Sequence, residues 1–414
     1  MATAVPVRNP LQVWRENAVA RRLFVLVVVI AAFLYPILST DVVTIYTATL
    51  AEVYVLLALG LNIVVGFAGL LDLGYAAFFA IGAYVTAMLA SSRLSFGHSN
   101  VSTFLFSIGS NGVHINFFLL IPLAAVIAAF FGILFGAPTL RLRGDYLAIV
   151  TLGFGEIVPK VIENLGPGNS LGLPNITNGV NNITGIDSPP NVNFWFIHLN
   201  FSGLDPRPWY FLGLVIIIIS VAIIYRLRNS RLGRSWVAIR EDEIAASHAG
   251  INITGTRLTA FALGAAFSGF GGLLNASHLG SVSYDQFLFQ VSVTILVMVI
   301  LGGIGSIPGV MVGGAFIAFL NESWLAWVGT KVNDLGTALH PAGGVIGTIG
   351  AWLATLPVES AKPMIFGFML VGVMLLRPQG LIPERRRALE FHPETQHELE
   401  EEQEELYTVR TGEI

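Results

Sequence analysis

Apolar runs long enough to cross a bilayer recur about every 25 to 40 residues between Arg22 and Leu376. This pattern limits the fold severely, because hydrocarbon offers no water to the backbone and an open-ended segment there has to be a helix. Ten candidate spans are read at 22–38, 43–65, 67–90, 117–137, 146–163, 209–226, 258–279, 291–304, 307–322 and 363–376. Several are short or broken by Gly and Pro, so about eight to ten transmembrane helices are expected. The fold class is an all-α integral membrane protein of polytopic helical architecture. Only 12% of the 414 residues are charged and 54% are hydrophobic, whereas about a quarter of a soluble domain is charged.

The basic residues give the spans a direction, since Lys and Arg collect on the cytoplasmic side. With the N-terminus inside, 17 of the 22 Lys and Arg fall in cytoplasmic segments. They precede the first span, follow the fourth (Arg141, Arg143), surround the loop after the sixth (Arg226 to Arg257) and follow the tenth (Arg377 to Arg410). Both termini of this multi-pass protein are therefore expected in the cytoplasm, and the family resemblance given below implies a bacterial inner membrane. The organisation reads as a cytoplasmic segment 1–21, a membrane domain 22–383 and an acidic cytoplasmic tail 384–414. The Arg-flanked run that opens the membrane domain lacks a small-x-small cleavage site and is read as an uncleaved span. External connections at 91–116, 164–208 and 323–362 are rich in Asn, Gly and Pro and are expected to be docking surface. The third carries Trp324, Trp327 and Trp352 and is a candidate interfacial or re-entrant element.

Composition also excludes classes of function. With no cysteine and eight scattered histidines, no thiolate or His-cluster metal site is expected, and the net charge of −4 argues against nucleic acid. No nucleophile–base pair stands at recognisable spacing, so no catalytic residue is assigned. A phosphate-cradling loop needs Gly-Lys-Ser/Thr, yet Lys160, Lys331 and Lys362 each follow a residue other than glycine. The chain is not expected to hydrolyse ATP itself.

One polar cytoplasmic loop, 227–257, stands out. Within it Gly233, Arg234, Arg240 and Glu241 precede Asp242 and Glu243, which suit a helix N-terminus. Ala245 and Ala246 keep that helix slim and Gly250 can end it in the left-handed conformation. A peripheral protein can grip such a helix. Inside the spans, Glu52, Asp72, Glu156 and Lys160 are costly in lipid and invite a functional reading. Glu156 and Lys160 stand four apart, in good order for a helical ion pair, which leaves a structural and a pathway role both open. Asp145 is expected to cap the helix beginning at Tyr146, and Gly153, Gly155 and Pro159 are expected to break it and expose backbone to a substrate. Asp72, Tyr146, Thr151, Gly153 and Glu156 are the candidates for the translocation path, and Thr177, Asn178, Gly179 and Asn181 for its external mouth. Small residues (Gly132, Gly136, Ala260, Gly264, Gly305, Gly309, Gly313) are expected where helices touch, and 302–309 as a tight cytoplasmic turn.

Ile244-Ala245-Ala246, three residues and Gly250 resemble the coupling loop of bacterial ABC importer permeases, with Ile244 where a Glu is usual. A narrower resemblance covers most of 43–383. It is carried by LGLNIVVGFAGLLDLGYAAFFAIGAYVTAML (59–89), GAPTLRLRGDYLAIVTLGFGEI (136–157), GRSWVAIREDEIAASHAGIN (233–252), AFALGAAFSGFGGLL (260–274) and RPQGLIP (377–383). These stretches look like the M-type permease of branched-chain amino-acid importers. The resemblance implies an ABC importer permease with no cofactor of its own. Its implied partners are a second, H-type permease, two cytoplasmic ATPase subunits that bind the ATP, an external substrate-binding protein and membrane lipid. A urea importer of the same architecture and a proton-coupled secondary carrier using Glu156 and Asp72 remain the alternatives.

Overall fold

The computed structural model describes residues 29–39, 41–94, 101–103, 106–109, 112–140, 142, 144–167, 172, 175–194, 197–201, 205–342, 344–356, 361–377 and 379–382. The segment 1–21, the tail 384–414, Arg141 and Arg143 lie outside the described residues.

The helices are α1 (Val29–Leu38), α2 (Val42–Leu61), α3 (Ala76–Leu89), α4 (Phe117–Thr139), α5 (Asp145–Asn164), α6 (Arg207–Arg228), α7 (Arg231–Glu241), α8 (Glu243–His248), α9 (Ile253–Leu279), α10 (Phe289–Gly302), α11 (Ile307–Phe319), α12 (Leu325–Leu339), α13 (Gly344–Ala354) and α14 (Lys362–Leu376). Among the described residues, six continuous helical stretches are long and apolar enough to cross a membrane: Val42–Phe67, Phe117–Thr139, Arg207–Arg228, Ile253–Leu279, Tyr284–Gly302 and Ile307–Leu339. The shorter apolar helices α1, α3 and α14 stand beside them. The chain is a multi-pass helical membrane protein.

Helix α2 runs through the centre and is buried almost throughout. Asp41 starts it: its carboxylate accepts from the Val43 N–H at 3.1 Å and from the Thr44 hydroxyl. The Thr44 hydroxyl chiefly, with the Val43 amide, holds this exposed carboxyl below the usual range. Helix α9 packs antiparallel on α2 and also against α3 and α4. Lipid tails are as apolar as leucine, so close backbone contact supplies the attraction between such helices. A Cβ on Gly82 of α3 would lie 2.6 Å from the Cα of Gly269 in α9, and one on Gly132 of α4 would lie 2.8 Å from the Cβ of Ala265. One on Gly313 of α11 would lie 2.4 Å from the Met298 carbonyl. The expected small-residue contacts are thus observed at Gly132, Gly136, Gly264, Gly309 and Gly313.

Two spans differ from expectation. The segment 67–90 is not one helix: α2 ends in a π-helical turn, Asn62–Phe67, residues 68–75 form a hairpin, and only Ala76–Leu89 is helical. The wider turn lets the Ala68 N–H reach the Ile63 carbonyl and the Leu70 N–H the Val64 carbonyl. The connection 323–362 is more helical in its described residues than a single interfacial or re-entrant element. Helix α11 continues through a π-helical turn, Leu320–Trp324, into α12, giving one stretch of 33 residues, and α13 folds back so that Gly336 meets Ala354. Trp324, Trp327 and Trp352 are exposed on this hairpin.

The connections 91–116 and 164–208 carry short strands. Strands β1 (Ala90–Ser91), β2 (Val101–Ser102), β3 (Phe106–Gly109) and β4 (Gly112–Ile115) form an antiparallel sheet in the order β1-β4-β3-β2. Strand β5 (Ile183–Thr184) pairs with β8 (Ser281–Val282), and β6 (Val192–Phe194) with β7 (Ile197–Leu199). His114 of β4 and Asp187 lie 2.6 Å apart and tie the two connections together.

The turn after α10 is tight, as expected, with positive φ at Gly303 and Gly305. The Gly305 N–H donates to Asn62 Oδ1 at 2.8 Å, which fixes this turn to the π-helical end of α2. The RPQGLIP stretch closes the α10 C-terminus, where carbonyls lack intrahelical donors. Leu381 N–H donates to the Leu301 carbonyl at 2.8 Å and Ile382 N–H to the Gly302 carbonyl at 3.1 Å.

Candidate coupling site and translocation path

The loop 227–257 holds two helices rather than one. The Ser230 hydroxyl caps α7 by accepting from Gly233 N–H at 3.3 Å, and Gly233 fits because a Cβ there would lie 2.2 Å from the Arg228 carbonyl. Trp236 is fully buried, and its indole N–H donates to the Thr256 carbonyl at 2.8 Å, fastening α7 to the start of α9. Arg234 reaches back to the Asn229 carbonyl at 2.9 Å. Helix α8 starts as the residues dictate: the Asp242 carboxylate accepts from Ile244 N–H at 2.8 Å and Ala245 N–H at 3.0 Å. Gly250 follows it with φ of 81°. Glu243 pairs with Arg257 at 3.0 Å and anchors α8 to α9. Ala246 is buried, whereas Ile244, Ala245, Ser247 and His248 are exposed. The pair α7–α8 therefore has one fastened side and one slim open side, and Glu241 ends α7 on that open side.

This unit grips the central helix. The Arg240 guanidinium donates to the Gly66 carbonyl at 2.5 Å, and its stem covers Gly69, whose φ is 70° and where a Cβ would lie 2.5 Å from Arg240 Cγ. The Arg228 guanidinium sits 5.9 Å above the Phe67 ring. Sequence reasoning found Arg240 but missed Gly66, Phe67, Gly69 and Trp236. The available signal was Gly66, Gly69 and Gly74 within an apolar run, a spacing that marks backbone close to other groups.

Of the path candidates, the structure brings Asp72 and Thr151 together and turns the others away. The Asp72 side chain is 1% exposed, and its Oδ1 accepts from Gly74 N–H at 2.9 Å. The Thr151 hydroxyl accepts from Leu73 N–H at 3.1 Å and donates to the Ala148 carbonyl at 3.0 Å. Gly74 and Gly155 touch, which brings the 68–75 hairpin directly onto α5. Tyr146, Gly153 and Glu156 lie on the opposite face of α5, where Tyr146, Ile149, Glu156, Ile157 and Lys160 are exposed.

Three expectations for α5 are corrected. Its N-cap is Gly144, with Asp145 the first helical residue. It runs unbroken from Asp145 to Asn164 despite Gly153, Gly155 and Pro159, and the broken segment is the 68–75 hairpin instead. Lys160 pairs with the half-buried Glu163, one helical turn ahead, at 2.7 Å rather than with Glu156.

The mouth candidates form one turn on the end of α5. The Thr177 hydroxyl donates to the Ile162 carbonyl at 2.6 Å and accepts from Gly179 N–H at 3.3 Å. Asn178 and Gly179 both have positive φ, 64° and 58°, and Asn181 N–H closes the turn on the Asn178 carbonyl. The Asn182 carbonyl accepts from Asn178 Nδ2 at 3.0 Å and ties the turn further.

The described residues thus set a buried central helix and a non-helical 68–75 segment against a capped helix pair, within a multi-pass helical membrane protein. The family model described as branched-chain amino acid transport system permease component matches residues 43–376, and the chain belongs to that family. It is 35% identical to the high-affinity branched-chain amino acid transport system permease protein LivM of Escherichia coli K12 and to that of Salmonella typhimurium. Each alignment covers 91% of this chain and 78% of the relative. It is 25% identical to the high-affinity branched-chain amino acid transport system permease protein LivH of Escherichia coli K12, over 69% of this chain and 86% of the relative. No solved structure matches the chain.

Proposed function

We propose that this chain is the M-type permease subunit of an ABC importer carrying branched-chain or other hydrophobic amino acids across a bacterial inner membrane, with both termini cytoplasmic. A second, H-type permease completes the pathway, an external binding protein delivers substrate, and two cytoplasmic ATPase subunits bind and hydrolyse the ATP. The Arg240–Gly66 bond carries the mechanical part of this reading, because through it a push on the open side of α7–α8 reaches the π-helical end of α2. Rigid-body motion of the pair is then transmitted to the 68–75 hairpin and so to Asp72.

The outward face of α5 supports a lining role. Four of its 20 residues are charged, and Glu156 and Lys160 in hydrocarbon would be costly. Water in the path, or the partner permease, is the environment that suits them. The Thr177–Asn181 turn at the far end of α5 is the outer mouth, and the neighbouring strands are the surface for the binding protein.

The absence of native cysteine makes the test direct. A single Ile244→Cys substitution in the assembled importer should react with a membrane-impermeant maleimide only from the cytoplasmic face, and should be shielded when the ATPases are present. Reaction from the outer face would end this reading.

A further inference from the structure

Near the arginine-rich face, α3, α4, α5 and α9 enclose a half-open pocket whose wall includes Asp72, Phe78, Phe135, Thr139, Phe154 and Phe261. Phe135 and Phe154 stack with centroids 4.8 Å apart, and Phe78 tilts against Phe135 at 6.3 Å. One carboxylate oxygen is left over: Asp72 Oδ2 is buried and accepts no hydrogen bond. The neighbouring hydroxyl protons are committed, Thr139 to the Gly136 carbonyl and Thr151 to the Ala148 carbonyl. Among the described residues, no Lys or Arg lines the pocket. A buried acceptor of this kind is costly until a donor arrives.

A carboxylate oxygen prefers a positively charged donor, and the packed phenylalanines around it supply no competing donor. The enclosed space is about 10 Å³, room for one water-sized group. From this we propose that Asp72 Oδ2 and the phenylalanine cage form a subsite for the primary ammonium group of the transported amino acid. The remainder of the molecule stays in the mouth of the pocket. This inference rests on the amino-acid reading above and adds which end of the substrate is recognised.

Binding is measured by calorimetry on the assembled importer in nanodiscs, with L-leucine, 3-methylbutylamine and 4-methylpentanoate as probes. Leucine and the amine should bind the native complex and the acid should not. Asp72→Asn keeps the acceptor for Gly74 N–H but loses the charge, and should weaken the amine at least tenfold. Phe154→Leu keeps an apolar wall without the ring and should weaken the amine while the chain remains folded. Equal binding of the acid and the amine, or amine affinity unchanged in both variants, overturns the subsite and leaves a single water as its occupant. ATP-driven leucine uptake by the native complex is scored separately. If uptake is present and Asp72→Asn binds normally, only the subsite fails. If the amine binds through Asp72 but leucine is not transported, the amino-acid reading fails and the cation site stands.

Discussion

Arg240 in the α7–α8 helix pair and Gly66 at the end of the central helix are joined by a hydrogen bond that spans 174 residues of sequence. The arginine also fills the space over Gly69 that a side chain there would need. One side chain therefore reads out the position of the π-helical turn.

Arg240→Ala should separate ATP hydrolysis from uptake. Loss of a hydrogen bond from a charged group costs about 1.5–3 kcal/mol, which corresponds to roughly a 10- to 100-fold fall in transport per ATP hydrolysed. Uptake and hydrolysis are to be measured together in proteoliposomes. An unchanged ratio would remove Arg240 from the transmission.

Trp236→Phe keeps an aromatic ring but removes the indole donor to the Thr256 carbonyl, which retains the Thr259 hydroxyl as a donor. The expected loss is about 0.5–1.5 kcal/mol of stability in the α7–α9 corner for the hydrogen bond alone, visible as a lower melting temperature and as earlier proteolysis between 227 and 257. Trp236→Ala adds a cavity and should cost about 3–5 kcal/mol.

Glu52 lies at the heart of α2 against Gly213 of α6, 6% exposed, with neither carboxyl oxygen hydrogen-bonded. An unsatisfied group of this kind costs about 1–3 kcal/mol, so Glu52→Leu should raise the melting temperature of the purified complex. A fall would mean that Glu52 has a partner supplied by another subunit or by solvent. Transport assayed on the same variant then tells whether that cost is maintained for function.

The Asp41 cap gives a pH dependence of defined sign. Because the Thr44 hydroxyl and the Val43 amide depress its folded value below 3.8, its stabilisation is complete above about pH 4 and is lost as the pH falls through the folded value. Asp41→Asn keeps the cap without the titration. The melting temperatures of the two proteins should therefore converge between pH 6 and pH 3, and parallel curves would contradict the assignment.

What could be read beforehand follows from the range of the forces involved. Helices such as Phe117–Thr139 and Arg207–Arg228 fall within a few residues of the expected spans because burial in hydrocarbon is written into uninterrupted apolar runs. Asp242 and Gly250 were legible because capping is satisfied within four residues. The break at 68–75 was hidden because Leu70, Leu71 and Leu73 read as span, and what opens the chain there is distant: Thr151, 78 residues away, accepts the Leu73 N–H. The Glu156–Lys160 pairing failed because Glu163 is an equally local competitor, and spacing alone does not rank the two. For the site, the candidates do not group as their order in the sequence suggests. Asp72 and Thr151 face inward while Tyr146, Gly153 and Glu156 face out, a division set by where the hairpin lands on α5.

The stretch from Ile307 to Leu339 is 33 residues long, about 50 Å at helical rise, against roughly 30 Å of hydrocarbon. It behaves as a rod mounted through a wall. Its Ile307 end is wedged at Gly309 against Gly302, and its other end bears the α12–α13 hairpin. Tilting such a rod by 10° about its middle swings each tip by about 4 Å, so a small displacement under one leaflet becomes a sideways sweep of the tryptophan-bearing hairpin beyond the other.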